Sequence, residues 1–103
     1  MNRQTRCPPV ERSQLKDPID ISAPSEVDFA GAKDIADRKA RELAADPMLL
    51  SWYDRQSGKF SPQVDFCEFD NRPVWLVFAE SRGGDITIDI NKEQFVFVYA
   101  DFS

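Results

Sequence analysis

The stretch DITIDINKEQFVFVYADF at residues 85–102 decides the fold. Polar and apolar side chains alternate strictly over Asp85–Ile90, a pattern typical of a strand with one buried face. A polar turn over residues 91–94 leads into a second apolar run, Phe95–Phe102. A loop at Lys92-Glu93 would pair Ile90 with Phe95, Ile88 with Phe97 and Ile86 with Tyr99. The stretch therefore predicts an antiparallel hairpin.

Everything between Pro47 and this hairpin is predicted to be strands and turns. Met48–Asp54 is apolar and aromatic, a return strand can begin at Lys59-Phe60, and two further strands are predicted at Val64–Phe69 and Val74–Glu80. Asp70-Asn71 and Gly83-Gly84 are turn signals, and the two glycines suit a tight hairpin loop. Alternation then gathers an apolar set on one sheet face, which a helix can cover: Val64, Phe66, Trp75, Val77, Ala79, Ile86, Ile88, Ile90, Phe95, Phe97 and Tyr99.

One long helix is predicted from about Asp28 to Ala45. Its apolar residues recur at helical spacing, and Asp46-Pro47 ends it because the residue before a proline resists the helical conformation. Before the helix, the alternating run PIDISA at Pro18–Ala23 predicts a short strand. We therefore expect an α+β domain over 18–103, with a short N-terminal strand, one long helix, and an antiparallel β-meander packed on the helix by one face. The polar residues 1–17 are predicted to form a flexible arm.

The composition excludes several classes of function. The net charge is −5 and the basic residues are scattered, which argues against nucleic acid and anionic membranes as partners. The absence of histidine removes imidazole catalysis and histidine-bound metals. Cys7 and Cys67 lie far apart in the sequence, so free thiols in a reducing cytoplasm are expected. We expect no cofactor and no metal.

Three stretches of the sequence carry a resemblance: PMLLSWYD at Pro47–Asp54, Ser61-Pro62, and RPVWLVFAESRGGDITIDIN at Arg72–Asn91. Together they resemble a small family of uncharacterised bacterial and archaeal proteins. The resemblance covers roughly residues 18–100, and the segment AESRGGDITIDIN is its most specific part. The resemblance implies a compact α+β domain and no assigned activity.

The opposite face of the predicted sheet is mixed rather than polar. It would carry Leu76, Phe78, Val96 and Val98, and one helix cannot cover both faces. Either the segment Met48–Phe60 folds over this face, or a partner covers it, as in a homodimer. These four residues are the predicted interface.

The favoured function is a non-enzymatic protein-interaction or self-associating module. The alternative is a small enzyme, or a ligand- or metal-binding domain, that uses acidic residues near Gly83-Gly84. Glu80, Arg82 and Asp89 are the candidate ligand-binding residues, because neighbouring carboxylates can act as acid and base or hold a hard cation. Polar positions on an exposed sheet face explain them equally well.

Overall fold

The computed structural model describes residues 7–102. A 3-10 turn at Arg12–Gln14 precedes two helices and seven strands within this range: β1 (Ile19–Ile21), α1 (Phe29–Leu43), β2 (Pro47–Asp54), β3 (Lys59–Ser61), β4 (Glu68–Phe69), β5 (Arg72–Pro73), α2 (Val74–Ser81), β6 (Ile86–Ile90) and β7 (Phe95–Asp101).

Five of the strands form one sheet in the order β1-β6-β7-β2-β3. Strand β1 runs parallel to β6, and the other neighbours in this sheet are antiparallel. The predicted α+β class is confirmed. The predicted antiparallel meander is wrong in part, because the sheet is mixed and a second helix replaces one of its strands.

The hairpin of β6 and β7 has the predicted register. Ile90 lies opposite Phe95, Ile88 opposite Phe97, and Ile86 opposite Tyr99. Helix α1 covers this face with Ala32, Ala36 and Ala40, all fully buried. Alanines at every fourth position form a flat stripe, so the helix backbone can lie close to the sheet. The carboxylate of Asp28 caps the helix by accepting a hydrogen bond from the amide of Gly31 at 2.8 Å.

The segment Val74–Ser81 is helix α2, so the strand predicted at Val74–Glu80 is wrong. Its buried residues Trp75, Leu76 and Ala79 have helical spacing and pack against β2 and β7. Gly83-Gly84 ends this helix and does not form a hairpin loop. The amide of Gly83 donates to the carbonyl of Glu80 at 3.2 Å, and that of Gly84 to the carbonyl of Ala79 at 2.8 Å. These two bonds, with a φ of +87° at Gly83, form a Schellman cap.

The strand predicted at Val64–Phe69 is also wrong. Pairing is confined to Glu68–Phe69, which faces Arg72–Pro73 in a separate two-stranded ribbon. Val64 and Phe66 are exposed rather than buried beneath α1. The turn at Asp70-Asn71 does form, with φ of 55° and 63° at its two residues.

The second face of the sheet is covered from within the chain. Leu76, Val96 and Val98 are buried in one apolar cluster, and Phe78 is half-buried. The predicted interface is thus mostly core, and the surface expected for a homodimer is not free. The segment Met48–Phe60 does not fold over this face, because it largely forms β2 and the start of β3 within the sheet. Helix α2 and residues 7–17 cover the face instead.

Residues 7–17, termed the N-terminal segment from here on, are packed on the domain. Val10 and Leu15 are 1% and 7% exposed and lie in the cluster with Leu76. The guanidinium of Arg72 donates to the carbonyl of Gln14 at 3.1 Å. These contacts run against the expectation of a flexible arm. The rest of that arm, residues 1–6, lies outside the described residues.

A disulfide joins Cys7 to Cys67, with the two Cα atoms 5.3 Å apart. The expectation of free thiols is therefore wrong. Two cysteines 60 residues apart gave no local spacing signal, because the fold alone brings them together. The cytoplasmic location stays a prediction.

Candidate functional site

A cavity of about 620 Å³ opens beside β1 and the turn between β6 and β7. Its lining combines acidic, basic and neutral residues: Arg12, Asp20, Ile21, Ser22, Asp89, Asn91, Lys92 and Glu93. Strands β1 and β6 are parallel here, and Asp20 and Asp89 are direct partners in their register. The parallel pairing therefore brings two carboxylates from distant parts of the chain to one edge of the sheet.

The carboxyl group of Asp89 is fully buried, at 0% side-chain exposure. Its Oδ1 accepts a hydrogen bond from the backbone amide of Glu93 at 2.5 Å. Its Oδ2 accepts a second hydrogen bond, from Nη1 of Arg12 at 3.3 Å. Both oxygens of this buried group therefore have a donor, as a charge inside a protein requires.

The guanidinium of Arg12 bridges the two carboxylates. The same Nη1 atom that reaches Asp89 also pairs with Oδ1 of Asp20. Arg12 itself is 48% exposed and Asp20 is 62% exposed, so this bridge closes the outer side of the buried group. In the folded chain, a cation from the N-terminal segment thus occupies the position between the two carboxylates, at the wall of the open cavity.

The turn between β6 and β7 forms the inner side of this pocket and has an unusual backbone. Asn91, Lys92 and Glu93 all have positive φ, at 55°, 54° and 66°. Three successive non-glycine residues in this region are costly, and they persist where the surroundings fix them. The amide group of Asn91 supplies part of that support by accepting from the amide of Ala23 at 2.8 Å and donating to Gln94 at 2.9 Å. The turn points the amide of Glu93 at Asp89.

The environment of Asp89 raises its pKa to about 7. Burial is the main cause, and the neighbouring carboxyl group of Glu93 adds to it. The hydrogen bond from the backbone amide of Glu93 acts in the opposite direction. A buried carboxyl group that titrates near neutrality beside a cavity is typical of functional sites.

Of the predicted site residues, Asp89 alone lies in this cavity. Glu80 belongs to helix α2 and accepts two hydrogen bonds from Arg72, at 2.6 and 2.8 Å. This ion pair lowers the pKa of Glu80 against the opposing effect of burial. The guanidinium carbon of Arg82 lies 4.2 Å from the ring centroid of Phe78. Glu80 and Arg82 therefore have structural partners of their own.

Arg12, Asp20 and Glu93 were missed as site residues. Arg12 is in a polar segment that favours a solvated tail, and Asp20 occupies the polar position of a short alternating strand. One signal was available, because PIDISA and DITIDI place an aspartate between isoleucines in both strands. Only their parallel pairing shows that the two aspartates meet.

Residues 7–102 contain no group of three or more acidic or cysteine side chains that could hold a metal ion. No helix among them is long and apolar enough to cross a membrane.

Known proteins are similar to this chain in sequence and in fold. An uncharacterized protein from Archaeoglobus fulgidus is 31% identical over 87 residues, which covers 82% of this chain and 88% of that protein. A crystal structure of a novel protein from the same organism superposes with a TM-score of 0.72 at 28% identity, covering 86% of this chain and 98% of that one. Residues 16–99 match the family described as a domain of unknown function, DUF5619. The resemblance to an uncharacterised family is confirmed, and the chain belongs to the DUF5619 family.

Proposed function

We propose that this domain is a non-enzymatic binding module that takes a cationic group, a guanidinium or an ammonium, between Asp20 and Asp89. One observation carries the proposal: the guanidinium of Arg12 already lies between these two carboxylates. An external cation would replace Arg12 and make the same contacts. The bound group could belong to a small molecule or to a Lys or Arg side chain of a partner protein.

The electrostatics of the pocket support a positive ligand. Asp20, Asp89 and Glu93 outnumber the two cations in the lining, Arg12 and Lys92. When the ligand displaces Arg12, the net charge of the remaining lining residues becomes more negative. Charge-assisted hydrogen bonds to a carboxylate that is shielded from water are stronger than the same bonds at an open surface. The net charge of −5 would also attract a cation from solution.

Asp89 supports binding because its buried carboxyl group has two stable states. Without a cation it can hold a proton, so the pocket can be emptied without leaving an unpaired buried charge. With a cation it ionises. Where no resident cation precedes the ligand, as in Arg12→Ala, binding should therefore release protons.

The test uses Arg12→Ala, which removes the resident guanidinium and leaves the pocket open. Methylguanidinium should bind this variant in the millimolar range and shift the amide resonances of residues near Asp20, Asp89 and Glu93. The matched control is Arg12→Ala with Asp89→Asn, which should lose most of the response. A response of equal size in the control, or none in Arg12→Ala, would refute the proposal.

A second titration distinguishes the two sources of the cation. A blocked tripeptide, acetyl-Gly-Arg-Gly-amide, offers the same guanidinium on a peptide backbone. Binding at least tenfold tighter than methylguanidinium would indicate a protein partner, because the backbone adds contacts beyond the cation. Equal affinities would indicate a small-molecule ligand.

A further inference from the structure

The disulfide and the cation site are linked through one piece of chain. Cys7 begins the N-terminal segment, Arg12 follows five residues later, and the segment leads into β1 at Ile19. The segment is therefore fixed at both ends, by the disulfide to Cys67 and by strand β1. Arg12, which lies between Asp20 and Asp89, sits between the two fixed points.

We propose that the Cys7–Cys67 disulfide controls access to the cation site: the oxidised chain holds Arg12 over Asp89, and reduction allows the N-terminal segment to release it. This inference rests on the proposed function, because it concerns the same pocket. In the reduced chain, the site should bind an external cation more tightly, because Arg12 competes with it less effectively.

The remaining contacts of the segment show why the disulfide matters. Besides the buried side chains of Val10 and Leu15, three polar contacts other than those of Arg12 hold the segment. They are the hydrogen bond from Arg72 to the carbonyl of Gln14, a long one of 3.4 Å from Arg55 to the carbonyl of Val10, and an ion pair of Lys16 with Glu80 at 3.9 Å. These contacts are individually worth little when partly exposed to water. The disulfide keeps the effective concentration of Arg12 at the pocket high, because Cys7, the first residue of the segment, stays bonded to Cys67. Loss of the disulfide lowers that concentration.

The chemical step is ordinary thiol–disulfide exchange with a dithiol reductant. A thiolate of the dithiol attacks one sulfur of the Cys7–Cys67 bond and forms a mixed disulfide. This first attack releases the other protein sulfur as a thiolate. The second thiolate of the reductant then attacks the reductant's own sulfur in the mixed disulfide and displaces the protein sulfur bound there. The reductant leaves as a cyclic disulfide, and Cys7 and Cys67 together gain two electrons and two protons.

Thermodynamic linkage makes the effect reciprocal. If reduction raises the affinity for a cation, the cation must favour reduction by the same factor. Two independent measurements on the unaltered chain therefore report one coupling. Neither requires a variant.

The experiment compares methylguanidinium binding to the oxidised and the dithiothreitol-reduced wild type, by titration followed with amide chemical shifts. We expect the reduced form to bind at least about fivefold more tightly, within the usual range of coupling between sites. The double variant Cys7→Ser, Cys67→Ser should bind like the reduced form. In the reciprocal measurement, methylguanidinium should shift the dithiol equilibrium of the wild type toward reduction.

Arg12→Ala is the matched control, since it should bind equally well in both redox states. One outcome would overturn the redox inference and leave the proposed function standing. In it, Arg12→Ala binds methylguanidinium, whereas the oxidised and reduced wild type bind it with equal affinity or do not bind it at all. If Arg12→Ala itself does not bind methylguanidinium, the proposed function fails.

Discussion

Asp20 and Asp89 are partners across the parallel pair of β1 and β6, and one guanidinium lies between their carboxylates. The two differ sharply in environment, because Asp20 is largely exposed whereas Asp89 is fully buried. The raised pKa therefore belongs to Asp89, the buried member.

The stability of the protein should depend on Asp89 between pH 4 and 7. Its pKa rises from an ordinary 3.8 to about 7 on folding, so in this range the folded state binds more protons than the unfolded state. Its contribution to stability is therefore full below about pH 4 and is lost as pH rises toward 7, by at most about 1.4 kcal/mol per pH unit. Urea denaturation of the wild type and Asp89→Asn at several pH values measures this. Parallel curves for the two proteins would show that Asp89 does not titrate abnormally.

The assignment of α2 to the second core is tested by Leu76→Ala. Leu76 is fully buried, so truncation should cost about 2–5 kcal/mol of unfolding free energy. Phe66→Ala is the control, since its larger side chain is 52% exposed and should cost less than about 1 kcal/mol. Equal losses in chemical denaturation would contradict the packing described for these residues.

Deleting residues 1–16 should destabilise the domain. The deletion removes Val10 and Leu15 from the second core and breaks the disulfide, a loss of at least about 3 kcal/mol. Lys16→Ala removes only an exposed ion pair with Glu80, at 3.9 Å, and should leave the melting temperature nearly unchanged. A truncated chain that melts with the wild type would show that the arm is free in solution, as its polar sequence predicts.

The helix cap at Gly83-Gly84 predicts two different mutational effects. A side chain at Gly84 would meet the carbonyl oxygen of Ala79 at 2.8 Å and Val98 at 2.9 Å, so Gly84→Ala should cost about 1–3 kcal/mol. At Gly83 there is space, and the difficulty is the φ of +87°. Gly83→Asn should therefore be milder than Gly83→Ala, because asparagine tolerates this region. Thermal unfolding of Gly84→Ala, Gly83→Asn and Gly83→Ala measures the order of their stabilities.

Much of the fold could be predicted from local sequence because its signals are short-range. The register of β6 on β7 follows from strict alternation and a four-residue turn. Helix α1 follows from its apolar spacing and from Asp46-Pro47. In both cases the pattern repeats within a few residues and has a clear end.

Helix α2 could not be predicted because its sequence is compatible with both a buried strand and a buried helix. The run VWLVFAES is apolar on all sides and rich in residues that favour strands. A short run of this kind does not distinguish a buried strand from a buried helix. Packing of Trp75 and Leu76 on the sheet decides in favour of the helix.

By itself, the sequence determined the α+β class, the β6–β7 hairpin and α1, since each depends on neighbours along the chain. Only the tertiary structure decided what covers the second face and what surrounds Asp89. Arg12 and Asp89 are 77 residues apart, and Cys7 and Cys67 are 60 apart. Such pairs have no local periodicity, because they meet only after the sheet has formed and the N-terminal segment has packed across it.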